Sequence, residues 1–157
     1  MSEAIKEKLI ESIIETGKFY SNDLKVLSHD QLSDSPGGVG RSPYDYTYEV
    51  IVVNNRVGDR LSGKEPGPWP FDGWALAPSE FKDKDHCIAE FENSIAYVVD
   101  GLKLADGNEL IDEIELPTGK TSIFEMATLV SSHVFYHCGQ LNMMQAIAGD
   151  EQNHWDD

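Results

Sequence analysis

The sequence predicts an all-α protein, a four-helix bundle with a long crossover between the first and second helices. Three observations predict it. Four runs repeat apolar residues at helical spacing. Ser42, Ser79 and Ser122 stand as caps ahead of three of these runs. The stretch between the first two runs is polar, glycine-containing and long enough to cross from one antiparallel helix pair to the other. A chain of 157 residues predicts one domain, here residues 1–149, followed by an acidic C-terminal tail over residues 150–157.

The first helix is expected from about Ser2 to Leu27. Ile5, Leu9, Ile13 and Phe19 or Tyr20 mark its stripe, Ile10 and Ile14 widen it, and Gly17 weakens its middle. His29 reads as a solvated residue beyond its end. Residues 28–40 read as a loop, with Pro36-Gly37-Gly38 inside it. Ser42-Pro43-Tyr44-Asp45 is a strong helix start, because serine caps and proline suits the first helical position. That second helix runs to about Leu61 with Gly63 beyond it, and its stripe is Tyr46, Val50, Val53, Val57 and Leu61. The β-branched run 50–53 also suits a strand, but the cap and the sustained spacing favour helix.

Residues 64–78 hold four prolines and two glycines, which exclude regular structure. Trp69, Phe71 and Trp74 within them either plug one end of the bundle or form a pocket wall beside a site. Ser79 is expected to cap the third helix, whose buried face carries Phe81, Ile88, Phe91, Ile95, Val98 and Leu102. His86 and Cys87 point about 100° apart and do not share a ligand, and Cys87 reads as a small core residue. In the polar connection that follows, residues 111–116 alternate as a short extended piece, and Pro117-Thr118-Gly119-Lys120 reads as a turn. Thr121 or Ser122 caps the fourth helix, with Glu125 at capping-box spacing and Gly149 as its end. The tail is expected to be mobile, with no role for His154 or Trp155.

Composition narrows the function. The net charge is −16, from 28 acidic and 12 basic residues, and such a surface repels phosphate backbones. Nucleic acid is therefore not an expected partner. No apolar run reaches the roughly 18 residues of a membrane span. The charged N-terminal segment lacks the apolar region of a secretory signal. Two cysteines are too few for a disulfide framework, which predicts a cytoplasmic protein.

The chemistry centres on the fourth helix, in Ser131-Ser132-His133-Val134-Phe135-Tyr136-His137-Cys138-Gly139-Gln140-Leu141. His133 and His137 are four apart and share a helix face, where two imidazoles can bind one divalent ion. Two merely packed or exposed histidines would show the same spacing. Gly139 costs a helix interior roughly 1 kcal/mol relative to alanine, so something should require it, such as a close helix–helix approach at the site. Cys138 beside His137 reads as packed core rather than a nucleophile, since adjacent helix positions diverge.

The pattern His-x-x-x-His-x-Gly-Gln-Leu in this chain resembles the last helix of the DinB-like family, which includes YfiT-type metal-dependent hydrolases and thiol transferases and whose usual pattern there is close to His-x-x-x-His-Arg-Gly-Gln-Leu. This chain resembles it through His133, His137, Gly139, Gln140 and Leu141, with Cys138 where the family commonly has arginine. The resemblance implies a four-helix bundle with a three-ligand metal site and a frequent homodimer. It also implies a third ligand, a histidine on the second helix. Aligned on Leu61-Ser62-Gly63, that position falls at or near Glu49. Either Glu49 replaces the histidine, or Asp45 or Asn54 serves instead, or the site is vestigial. Glu49 lies beside Val50 and Val53, where an unpaired carboxylate is costly, and a cation held by the histidines would remove that cost.

Two histidines and a carboxylate suit Zn, Ni, Fe or Mn without choosing among them. Such an ion acts as a Lewis acid or lowers the pKa of a bound water or thiol, and these are the expected catalytic groups. Gln140 is a candidate outer partner of the ligands, as are Asp45 and Asn54 if they do not ligate. The implied activity is a metal-dependent transfer to a low-molecular-weight thiol such as bacillithiol or mycothiol, or a hydrolysis, on a small-molecule substrate. The competing reading is a dimeric stress or interaction protein, without enzymatic activity, whose site is vestigial.

Overall fold

A computed structural model describes residues 2–117 and 119–155. Met1, Thr118 of the expected turn, and Asp156 and Asp157 of the expected tail lie outside the described residues. The elements are α1 (Ser2–Val26), α2 (His29–Ser33), α3 (Pro43–Leu61), α4 (Lys84–Leu104), β1 (Ile114–Leu116), β2 (Gly119–Thr121) and α5 (Ile123–Ile147). The four long helices close a ring in which α1 packs on α5 and α4, and α3 packs on α4 and α5. Ile13, Tyr20 and Leu24 of α1, Val50 and Val57 of α3, Phe91, Val98 and Leu102 of α4, and Val130, Val134 and Leu141 of α5 fill the interior. The mostly helical architecture agrees with the sequence-predicted class.

The α3–α4 contact is the most extensive, and two glycines permit it. A Cβ on Gly58 would lie 2.5 Å from the Tyr97 ring, and one on Gly101 would lie 2.8 Å from the Leu61 Cβ. Gly17 does not interrupt α1; it makes room for Ile95 of α4.

Four local expectations change. The crossover is not all loop, because Ser28 and Gln31 form a reciprocal capping box that starts α2, and Leu32 anchors that turn in the core. His29, exposed as expected, nevertheless bonds the Tyr44 hydroxyl through Nδ1 at 3.0 Å. Ser79 does not cap α4. It opens a 3-10 turn, and Asp83 caps the helix by accepting from the His86 backbone at 2.9 Å. Phe81 thus sits outside the helix, with its ring 4.7 Å from that of Tyr48. The extended piece narrows to Ile114–Leu116 and pairs antiparallel with Gly119–Thr121, where a turn was expected; Gly119 takes φ 133° at the reversal. Ser122, not Thr121, caps α5, and the Glu125 carboxylate turns back to accept from its hydroxyl at 3.1 Å.

The fourth change concerns the tail. Trp155 stacks on Phe19 with centroids 4.9 Å apart, lies 5.6 Å from Phe135, and donates from its indole nitrogen to Asp23. The His154 imidazole bonds Asp150, and its carbonyl accepts from Asn22. The tail thus folds back over α1. Trp155→Ala is expected to cost roughly 2 kcal/mol, less than the ~3–5 of a fully buried aromatic because Trp155 is only half-buried. Urea unfolding measures this, and an unchanged midpoint would contradict the contact.

Candidate metal centre

Ser42 accepts from the Asp45 backbone and starts α3 so that Glu49, two turns in, faces α5. α5 brings His133 and His137 to the same place. One ligand atom each of Glu49, His133 and His137 lies within 4.8 Å of the other two. The two Nε2 atoms are 3.1 Å apart, close to the spacing that two ~2.1 Å bonds to one ion give. Glu49 Oε1 is 3.8 Å from His133 Nε2.

The surroundings suit a cation. His137 is buried, and its Nδ1 donates to the Gln140 carbonyl oxygen at 2.5 Å. A carbonyl only accepts, so that proton is fixed on Nδ1 and the Nε2 lone pair is left facing the group. Burial, then the neighbouring His133, depress the His137 pKa to about 4. Burial lowers His133 as well, against the raising effect of Glu49. Both imidazoles are therefore neutral at pH 7, the form that binds a metal. Tyr46 stacks flat on His137, 5.2 Å between centroids and 11° between planes. Its hydroxyl and His133 Nδ1 are buried without a hydrogen-bond partner among the described residues.

The depressed histidines carry a consequence for stability. Unfolded histidine takes its proton near 6.5 while folded His137 resists it to about 4, so the unfolded state binds more protons in between. The stabilisation is complete above about pH 6.5 and is lost as pH falls toward about 4, a change of about 3 kcal/mol from His137. Chelator-treated protein should show this in urea unfolding, and His137→Gln should flatten the profile. An equal slope in both would contradict the burial.

Arg41 was not anticipated. Its guanidinium forms an ion pair with Glu49 Oε2 and lies 4.7 Å from the centroid of the Trp74 ring. The premise that Glu49 lacks a partner is therefore corrected: Arg41, eight residues earlier, pairs one oxygen and leaves the other toward the histidines. An arginine just ahead of a helix cap has no periodicity to place it. Only the fold shows where it points.

The remaining candidates are engaged elsewhere. Asp45 accepts from the Ser42 hydroxyl and the Ala77 backbone, both at 2.8 Å, and pins the 64–78 segment to the start of α3. Asn54 faces α4 and donates to Ser94 at 3.0 Å. Trp69 and Phe71 pack edge to face, with Arg56 over Trp69 and Tyr48 beside Phe71. Trp74 alone of the three aromatics reaches the metal group, through Arg41. Cys138 and Cys87 are buried, and burial pushes both thiols up to about 12, which leaves them poor nucleophiles. Gly139 is not explained by a close approach, since a side chain there would meet nothing within 4 Å.

Neither a family model nor a curated protein sequence matches the chain. Two solved structures do. A conserved protein from Enterococcus faecalis superposes with a TM-score of 0.72 at 12% identity, covering 92% of this chain and 98% of that one. A DinB-like protein from Bacillus cereus superposes at 0.68 with 14% identity, covering 91% and 92%. The fold is DinB-like. At these identities the likeness is one of architecture, and the DinB-like bundle here carries a Glu-His-His group able to hold a metal ion. None of its described helices is long and apolar enough to cross a membrane.

Proposed function

We propose that this DinB-like bundle is a metal-dependent enzyme acting on a small molecule, by transfer to a low-molecular-weight thiol or by hydrolysis. Its divalent cation is held by Glu49, His133 and His137. The observation that carries the reading is the convergence of three ligand atoms from α3 and α5 within 4.8 Å. Zn, Ni, Fe and Mn all suit two imidazoles and a carboxylate. When bound, such an ion supplies a Lewis acid that polarises an oxygen or lowers the pKa of a thiol.

The chain's own residues set the stage. Gln140 fixes the tautomer of His137. Arg41 orients Glu49 and places a fixed positive charge beside it, and Trp74, 71% exposed, lies against that guanidinium. A substrate or thiol with an anionic group would find a counter-charge there. A cytoplasmic setting accords with two free cysteines.

One observation favours a second reading, an interaction protein with a vestigial site. The Arg41 guanidinium already offsets the charge of Glu49. Activity separates the two. Protein loaded in turn with each cation is assayed for conjugation of a small thiol to a bimane electrophile and for cleavage of a nitrophenyl ester. Turnover of either substrate that stops on chelation supports the enzyme. Inactivity with every cation supports the vestigial site.

A further inference from the structure

Asp23 of α1 is wholly buried, and the three groups that donate to its carboxylate are neutral. A buried charge is costly unless it is paired and hydrogen-bonded. Two of the donors, Asn142 at 2.7 Å and Gln145 at 2.9 Å, come from α5. The third comes from outside the bundle: the Trp155 indole donates at 3.0 Å. Its ring lies on Phe19 with centroids 4.9 Å apart and planes within 14°, and Phe135 stands 5.6 Å to the side. A stacking floor, a side wall and an acceptor at the ring edge are the parts of a recognition site for a flat aromatic N–H donor.

The segment that delivers this ring is an ill-matched occupant. Residues 150–155 form neither helix nor strand. Asp150 and Glu151 bring further negative charge toward a buried carboxylate, in a chain of net charge −16. Between the tail and the end of α5 lies a cavity of about 450 Å³. Asn142 and Gln145, the donors to Asp23, line it together with Asp150, Glu151, His154 and Trp155. The slot therefore continues into space that the indole does not fill, of the size that small-molecule sites have.

We propose that this slot binds a small aromatic cation, a flat ring bearing a protonated amine or amidine, and that Trp155 is the internal stand-in for it. Charge selects the ligand. The indole offers Asp23 a neutral N–H, whereas an amidinium offers the same hydrogen bond with a full positive charge, shorter and about twice as strong. It adds a counter-charge where Asn142, Gln145 and Trp155 supply only dipoles. The ring keeps the Phe19 floor, and Asp150 and Glu151 at the cavity attract a cation. The site is separate from the metal group: Phe19 and Asp23 belong to α1, and Glu49, His133 and His137 to α3 and α5.

Benzamidine, with benzamide as its neutral counterpart, tests this on the full chain. In the wild type, benzamidine is expected to displace the indole and shift its Nε1–H nuclear magnetic resonance signal, which Trp155→Phe identifies by removing it. This reading needs no variant that loses the tail contact. In Trp155→Ala the ligand no longer competes with the tail, so calorimetry should show benzamidine binding roughly 30-fold tighter than in the wild type. Benzamide should bind Trp155→Ala at least about 10-fold more weakly than benzamidine does. Adding Asp23→Asn to Trp155→Ala should abolish that preference. A Trp155 signal that benzamidine does not move, or a Trp155→Ala affinity no better than that of the wild type, overturns the tail as a stand-in. Equal binding of benzamide and benzamidine, or a preference that survives Asp23→Asn, overturns the aromatic cation as the ligand.

Discussion

Asp23→Ala is expected to destabilise the protein by about 3 kcal/mol, a fall in Tm of roughly 6–12 °C for a chain of this size. Asp23 is fully buried in α1, where neutral donors surround its carboxylate. Burial raises its pKa, against the lowering effect of its donors from Trp155, Gln145 and Asn142. Those donors approach within 2.7–3.0 Å and join α1 to α5 and to the folded-back tail. Removing the carboxylate leaves them facing a cavity, which costs more than the lost bonds alone. Asp23→Asn keeps the shape and one acceptor, so it should cost about half as much. Calorimetry on the metal-free variants checks this. An Asp23→Ala Tm within a degree or two of wild type would mean that the network carries little stability.

Glu49→Gln is expected to weaken divalent-cation binding about 1,000-fold, beyond the 10–100-fold typical of an outer partner. The substitution keeps volume and removes the charge, so the effect isolates ligation from packing. It also breaks the ion pair with Arg41, which leaves a guanidinium uncompensated beside the histidines and adds to the loss. Glu49→His supplies a third imidazole and should recover most of the affinity. Asn54→Ala should leave affinity unchanged, because Asn54 faces Ser94 on α4. Titration of metal-free protein with Zn or Ni measures all three. Equal affinities for wild type and Glu49→Gln would remove Glu49 from the ligand set.

The parts of the fold legible in the sequence were those set by local chemistry. Ser42-Pro43 and Ser122 mark helix starts because a hydroxyl and a fixed φ act within one turn. Helical periodicity placed Val50, Val57, Val98 and Leu141 in the interior. Short features were masked by their composition. The capping box of α2 sits in a polar stretch that reads as loop, and Asp83 follows a segment that already offers Ser79 as a cap.

Long-range pairings were not legible. Trp155 lies among acidic tail residues, and only the closed bundle shows that Phe19 and Asp23 wait for it. The His133–His137 spacing pointed to a metal-binding pair because four residues make one helical turn. The position of Glu49 opposite them depends on how α3 crosses α5, and the Arg41 contact depends on how the crossover ends. Gly139 suggested a close helix–helix approach, and the structure does not supply one, since a Cβ there would meet nothing within 4 Å.

The central claim is that α3 and α5 together hold one divalent ion. Elemental analysis of protein purified without a histidine tag, beside the His133→Ala, His137→Ala double variant prepared identically, tests it most directly. The account predicts close to one ion per chain in the wild type and almost none in the double variant. Metal at the same stoichiometry in both, or none in the wild type after incubation with each cation, would contradict it.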